Sequence, residues 1–138
     1  MNKINIFTDG GSRNNPGLAA CAFAAYDQNR KKITGMSKFL GIATNNVAEY
    51  EGVLLALDYL HHKNEVTGAN FYLDSILVCQ QLNGKFKIKN RDLQKLIIKA
   101  FNIINKLPYR PVFSIIPREQ NKEADKLVNE ELDLHVAQ

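Results

Sequence analysis

The chain of 138 residues predicts an α/β domain built on a mixed five-stranded sheet. Two features lead there. Up to Leu40, short β-rich runs alternate with clusters of turn residues, and from Asn46 onward apolar residues recur at helical spacing between brief strands. Strands joined by short loops pair antiparallel, whereas strands separated by helices return parallel.

Each element has its own reason. Lys3 to Thr8 reads as the first strand, ended by a turn at Asp9-Gly10-Gly11 that Ser12 to Gly17 extends. Leu18 to Tyr26 is the second, and its small residues Ala19, Ala20, Ala22, Ala24 and Ala25 predict close packing. Asp27 to Arg30 forms a hairpin loop into the third strand, around Lys32 to Leu40. Val47, Tyr50, Val53, Leu54, Leu57 and Leu60 then mark a helix over Asn46 to His62.

Ala69 to Leu73 is the fourth strand and ends at Asp74. A short helix, Ser75 to Leu82, stops at Asn83-Gly84, and a basic connector, Lys85-Phe86-Lys87-Ile88-Lys89, follows. Asn90 caps a helix carrying Leu93, Leu96, Ile97, Ala100, Ile104 and Leu107, closed by Pro108. Pro111 to Ile116 is the fifth strand and Gln120 to Leu134 the last helix. The order is βββ-α-β-αα-β-α, with strands four and five parallel to strand one. Without an internal repeat or a linker, residues 1–138 are expected to form one domain.

Bulk composition narrows the function classes. An apolar share of 45% and a charged share of 23% belong to a globular chain, not a disordered one. Polar residues interrupt every apolar stretch, so no membrane span is expected. Met1-Asn2-Lys3-Ile4-Asn5 lacks the apolar run of a signal peptide, which makes the cytoplasm the default expectation. Cys21 and Cys79 match no zinc or redox spacing and read as small core residues. Lysines and arginines number 18 against 14 acids, for a net charge of +4. That excess suits a polyanionic partner without requiring one.

Four acids stand apart: Asp9, Glu49, Asp74 and Asp125. Each also has a plain structural reading. Asp9 suits a turn, Glu49 follows Asn46 at capping-box spacing, and Asp74 precedes a helix as an N-cap would. Asp125 shares a helical face with Val128 and Leu132, where a carboxylate is costly unless a lysine or a cation pairs with it. Taken together they suggest more. Asp9 and Asp74 end neighbouring parallel strands, the edge at which α/β folds place their sites. Glu49, in the first turn of its helix, can point across the sheet. Four clustered acids repel one another unless a hard cation neutralises them, and oxygen-only ligands favour Mg²⁺ or Mn²⁺ over zinc. Two such ions about 4 Å apart are a known device for phosphodiester hydrolysis.

The motifs themselves carry a resemblance. Thr8-Asp9-Gly10-Gly11-Ser12 with Asn15-Pro16-Gly17, and Thr44-Asn45-Asn46-Val47-Ala48-Glu49-Tyr50, resemble the opening half of type 1 ribonucleases H. Leu73-Asp74-Ser75, Gln81-Leu82-Asn83-Gly84 and the run from Pro117 to Asp125 continue it, in the family's order and closest to its compact archaeal-like branch. The resemblance implies the ribonuclease H-like sheet, three antiparallel strands plus two parallel, flanked by helices. It implies an endonuclease that hydrolyses the RNA strand of RNA–DNA hybrids, leaving 3′-hydroxyl and 5′-phosphate ends. Asp9, Glu49, Asp74 and Asp125 would hold two Mg²⁺ ions, with Mn²⁺ as a substitute. Gly10, Gly11, Ser12, Asn15, Thr44, Asn45 and Asn46 would bind substrate. Among these, Asn15, Asn45 and Asn46 are placed along the minor groove and Thr44 at a phosphate of the DNA strand. Asn suits that groove because its amide both donates to and accepts from a 2′-hydroxyl. No obligatory protein partner is evident, and a monomer is expected.

Three departures from the family pattern matter. Ile76 stands where many bacterial members carry Gln, two residues after the third acid. The long basic helix and loop that some members use is absent, with Lys85, Lys87, Lys89 and Arg91 as a partial substitute or a solvated charge run. The loop before the last acid holds Arg118 and Glu119 where many members carry a histidine. His61 and His62 read as solvated, and His135 has no assigned role. The competing classes are a hybrid-binding module that does not cut, an ATPase of related topology, and a structural domain without a site.

Overall fold

A computed structural model describes residues 2–85 and 87–136. Met1, Phe86 of the basic connector and the last two residues lie outside that description. The elements are β1 (Lys3–Arg13), β2 (Gly17–Tyr26), β3 (Lys32–Ala43), α1 (Asn45–His61), β4 (Gly68–Leu73), α2 (Ile76–Leu82), α3 (Arg91–Ile104), β5 (Val112–Ile115) and α4 (Lys122–Val136). A single 3₁₀ turn, Arg118–Gln120, precedes α4. The strands lie in the order β3-β2-β1-β4-β5. β1 pairs antiparallel with β2 and parallel with β4, and β5 is parallel to β4, as the crossover helices require.

Helices cover both faces of the sheet. On one, Ile4, Ile6, Phe23, Phe71 and Leu73 from the strands pack with Tyr50, Val53, Leu57 and Leu60 of α1. α3 buries Leu93, Leu96, Ile97, Ala100 and Ile104 in the same core. On the other face α4 lays Val128 and Leu132 over Ala20 and Ala22 of β2. The alanines of β2 therefore do what the sequence suggests, letting a helix approach the sheet closely.

The first strand departs from the sequence reading. β1 does not end at Thr8 but pairs with β2 as far as Arg13 opposite Leu18. Asp9, Gly10 and Gly11 thus lie inside a strand, and the turn falls at Asn14 to Pro16, with Asn14 at φ 90. The glycines answer a steric need instead. A Cβ on Gly10 would meet the Ala48 carbonyl carbon of α1 at 2.1 Å, and one on Gly52 the Asp9 carbonyl oxygen at 2.7 Å. Backbone touches backbone here, which is the other reason for glycine within a strand.

Other boundaries move for identifiable reasons. β3 continues past Leu40 to Ala43 because a bulge absorbs Leu40, next to Gly41 at φ +73. α3 stops at Ile104 rather than running to Leu107 and Pro108. α4 begins at Lys122, after the 3₁₀ turn that takes up Gln120. The expected stop at Asn83-Gly84 holds, with Gly84 at φ +74.

Candidate active site

The parallel register sets Phe7 of β1 opposite Tyr72 of β4, so two residues further come Asp9, within β1, and Asp74, just past the end of β4. Asp74 is not a helix cap. Ser75 takes that role for α2, its hydroxyl accepting the Val78 N–H at 3.3 Å, which leaves the Asp74 carboxylate for the sheet edge. Nor does Glu49 close a capping box with Asn46. Thr44 caps α1 by accepting the Val47 N–H at 3.2 Å, so Glu49 falls in the second turn rather than the first. From there its Oε1 accepts the Gly10 N–H of β1 at 2.6 Å.

One carboxylate oxygen from each of Asp9, Glu49 and Asp74 lies within 4.8 Å of the others. Asp9 is 7% exposed. Burial pushes its carboxyl up to about 7, and the charge of Asp74 adds to the effect. Burial also raises Glu49 well above the usual range, helped by the charges of Asp9 and Asp74. A hydrogen bond between the two carboxyls lowers Asp9 and raises Glu49, yet burial leaves both above the usual carboxylate range. Three carboxylates held this close, with only oxygen donors, fit a hard divalent cation that displaces those protons.

Asp125 corrects the reading of α4. The buried seam of that helix is Ala124, Val128 and Leu132, spaced by four, while Asp125 itself is exposed. No buried charge needs explaining there. Its N–H bonds the Asn121 carbonyl at 3.2 Å and its negative charge raises Asp9 slightly, but it is not among the three acids whose oxygens lie within 4.8 Å of one another.

The residues expected to contact substrate form a connected shelf beside the acids. The Asn15 Oδ1 accepts the Asn45 N–H at 2.9 Å, and the Asn45 Oδ1 accepts the Ser12 N–H at 2.8 Å. The β1–β2 turn is thereby tied to the start of α1. Because both side-chain oxygens are used in this way, the amide N–H groups of Asn15 and Asn45 remain for another acceptor. Asn45 and Asn46 are exposed on the first turn of α1, and Gly10, Gly11 and Ser12 line the adjoining stretch of β1.

Sequence reasoning missed Asn121, just before α4. It is 1% exposed, and its Nδ2 donates to the Thr8 carbonyl at 2.8 Å and to the Asp74 Oδ2 at 3.1 Å. Its place four residues before Asp125 was the available signal, but an Asn at a helix start reads first as a cap. Among the histidines, His61 and His62 are exposed as expected, while His135 stacks on Phe39 and meets Glu131 at 3.0 Å. Cys21 and Cys79 are buried and free.

Comparison with known proteins gives this geometry a family. A family model described as "Reverse transcriptase-like" matches residues 7–131. The chain is 38% identical to the Bifunctional protein Rv2228c of Mycobacterium tuberculosis over 95% of its own length and 36% of that protein. It thus spans about a third of that relative. It is 31% identical to a Ribonuclease HI of Halobacterium salinarum, over 95% of this chain and 65% of the relative. The crystal structure of LC11-RNase H1 in complex with an RNA/DNA hybrid superposes with a TM-score of 0.92 at 35% identity, covering 96% of this chain and 99% of that one. The chain belongs to the type 1 ribonuclease H family.

Proposed function

We propose that the protein is a metal-dependent endoribonuclease that hydrolyses the RNA strand of RNA–DNA hybrids and leaves 3′-hydroxyl and 5′-phosphate ends. The convergence of Asp9, Glu49 and Asp74 carries this reading. The hybrid bound to LC11-RNase H1, a neighbour at 35% identity, supports the choice of substrate.

Asp9, Glu49, Asp74 and Asp125 hold two Mg²⁺ ions in this account, with Mn²⁺ as a substitute. When bound, such ions supply Lewis acidity toward the scissile phosphate and bring a water's pKa toward neutrality. The chain's own residues do the rest. The Gly10 N–H fixes the Glu49 carboxylate against β1, and Asp9 and Glu49 would have to be deprotonated to hold a cation. Asp125, exposed on α4, would be the fourth ligand.

On the shelf, Asn15, Asn45 and Asn46 meet 2′-hydroxyls in the minor groove, and these are what distinguish RNA from DNA. Thr44 meets a phosphate of the DNA strand, and Gly10, Gly11 and Ser12 let the RNA backbone approach β1. The protein acts as a monomer in the cytoplasm, without an obligatory partner. No helix among the described residues is long and apolar enough to cross a membrane.

The test is cleavage of an end-labelled hybrid by the wild type and by Asp9→Asn. The proposal expects cutting by the first and loss of cutting with retained hybrid binding by the second. Full Mg²⁺-dependent cleavage by Asp9→Asn would remove Asp9 from the mechanism.

A further inference from the structure

We infer that Asn121 is a positioning residue of the metal site, its single amide group locking the Asp74 carboxylate to the central strand. This rests on the reading that the acids hold a divalent cation. The argument starts from hydrogen-bond chemistry. Thr8 O and Asp74 Oδ2 are both acceptors, so the Asn121 atom between them must be the NH₂, at 2.8 and 3.1 Å. That settles which way the amide points.

The arrangement departs from what an Asn at a helix start does. Its backbone carbonyl opens α4 by accepting the Asp125 N–H, yet its side-chain oxygen, buried with the rest of the residue, accepts nothing. An ordinary cap would turn that oxygen toward the helix N–H groups. Here the fold leaves a buried acceptor unpaired and spends both amide protons on the site.

One side chain therefore joins three elements that carry acids: β1 through Thr8, the end of β4 through Asp74, and α4 through its own backbone. With Oδ2 of Asp74 held, the carboxylate is fixed where one of its oxygens lies within 4.8 Å of oxygens of Asp9 and Glu49. Groups that orient a ligand in this way are worth roughly 10- to 100-fold in metal affinity or activity.

The test uses Asn121→Leu, which keeps approximate shape but removes both donors, and Asn121→Ser, which cannot reach both acceptors but is a good helix N-cap. Mn²⁺ binding is measured by calorimetry without substrate, beside kcat and KM for the hybrid in Mg²⁺ and melting in EDTA. About tenfold or greater loss of Mn²⁺ affinity and of kcat, with KM within about twofold of wild type, is expected. Lowered melting with Mn²⁺ affinity and kcat within about twofold of wild type would reduce Asn121 to a structural part and overturn the inference. A wild type that takes up no Mn²⁺ overturns the reading of the acids first, and this inference with it. One measurement needs no variant. The Asn121 NH₂ resonances should be protected from exchange and should move on Mg²⁺ titration, and unprotected, unmoved resonances count against the role.

Discussion

The Glu49 carboxylate of α1 accepts the backbone N–H of Gly10, at 2.6 Å across 39 positions of sequence. Gly10 follows Asp9, so this bond brings an acid from a helix against an acid from the central strand. It depends on glycine at position 10. Any Cβ there would sit 2.1 Å from both the carbon and the oxygen of the Ala48 carbonyl.

Gly10→Ala should therefore destabilise the fold by about 3 kcal/mol or more, because only backbone stands in the way and backbone cannot swing aside. Chemical denaturation in EDTA checks this. A loss below about 1 kcal/mol would mean that α1 and β1 are not so closely apposed.

Asp9 is expected to cost stability when no cation is present. Its folded pKa, about 7, lies above the ordinary value of 3.8, so the folded state holds the proton more tightly than the unfolded chain does. Stability from this group is therefore greatest below pH ~4 and is lost as the pH rises toward ~7. The full difference is on the order of 4 kcal/mol. In EDTA at pH 8, Asp9→Asn should melt above wild type, and the gap should close toward pH 4. Cleavage should meanwhile fall at least about a hundredfold, since a ligand counts for no less than the groups that orient it. Equal melting of the two proteins at pH 8 would contradict the buried, crowded environment assigned to Asp9.

The same protons couple cation binding to pH. Asp9 and Glu49 must lose protons to become ligands, so Mg²⁺ affinity should rise between pH 6 and 8, with protons released on binding. Calorimetry in two buffers of different ionisation enthalpy counts the protons. Binding without proton release at pH 6.5 would place the cation elsewhere.

Asn45→Ala removes the bond from the Ser12 N–H and the outward amide, while its backbone N–H stays on Asn15. KM for the hybrid should rise about fivefold per lost hydrogen bond, near 1 kcal/mol each, with kcat changed less. A fall confined to kcat would assign Asn45 to the chemistry instead. Asn15→Ala should behave alike, and the double variant should fall short of the product of the two because the residues share one network.

Much of this was legible in the sequence, for reasons that differ by element. Strand order and parallel direction follow from the crossover helices, so the sequence alone puts Asp9 and Asp74 at neighbouring strand ends. The chain of bonds through Ser12, Asn15 and Asn45 joins residues that the motifs had already gathered. What misled was ambiguity between causes of a single residue type. Gly10 and Gly11 suggest a turn, yet both lie in β1, and Gly10 serves a close contact with α1 that only the folded chain reveals. Asn46 and Glu49 had capping-box spacing, but Thr44, two residues earlier, took the cap. Asp125 was placed on the wrong side of α4 because i+3 and i+7 neighbours mark a broad face and not its centre. Asn121 bonds residues 113 and 47 positions away, and no local pattern carries such a contact.

Salt should weaken hybrid binding, since contacts from lysine and arginine to phosphate release counterions. Lys85, Lys87, Lys89 and Arg91 are exposed beyond α2 and are the first to test. Each one that meets a phosphate should lower the slope of log affinity against log salt by about 1 when replaced. Unchanged slopes would return them to a solvated charge run.

The most direct test of the central claim is digestion of an end-labelled RNA–DNA hybrid, beside duplex DNA, duplex RNA and single-stranded RNA, in Mg²⁺, Mn²⁺ or EDTA. Cutting confined to the RNA strand of the hybrid, abolished by EDTA, with 3′-hydroxyl and 5′-phosphate ends, is the predicted result. An intact hybrid in both metals, or equal cutting in EDTA, would contradict the account.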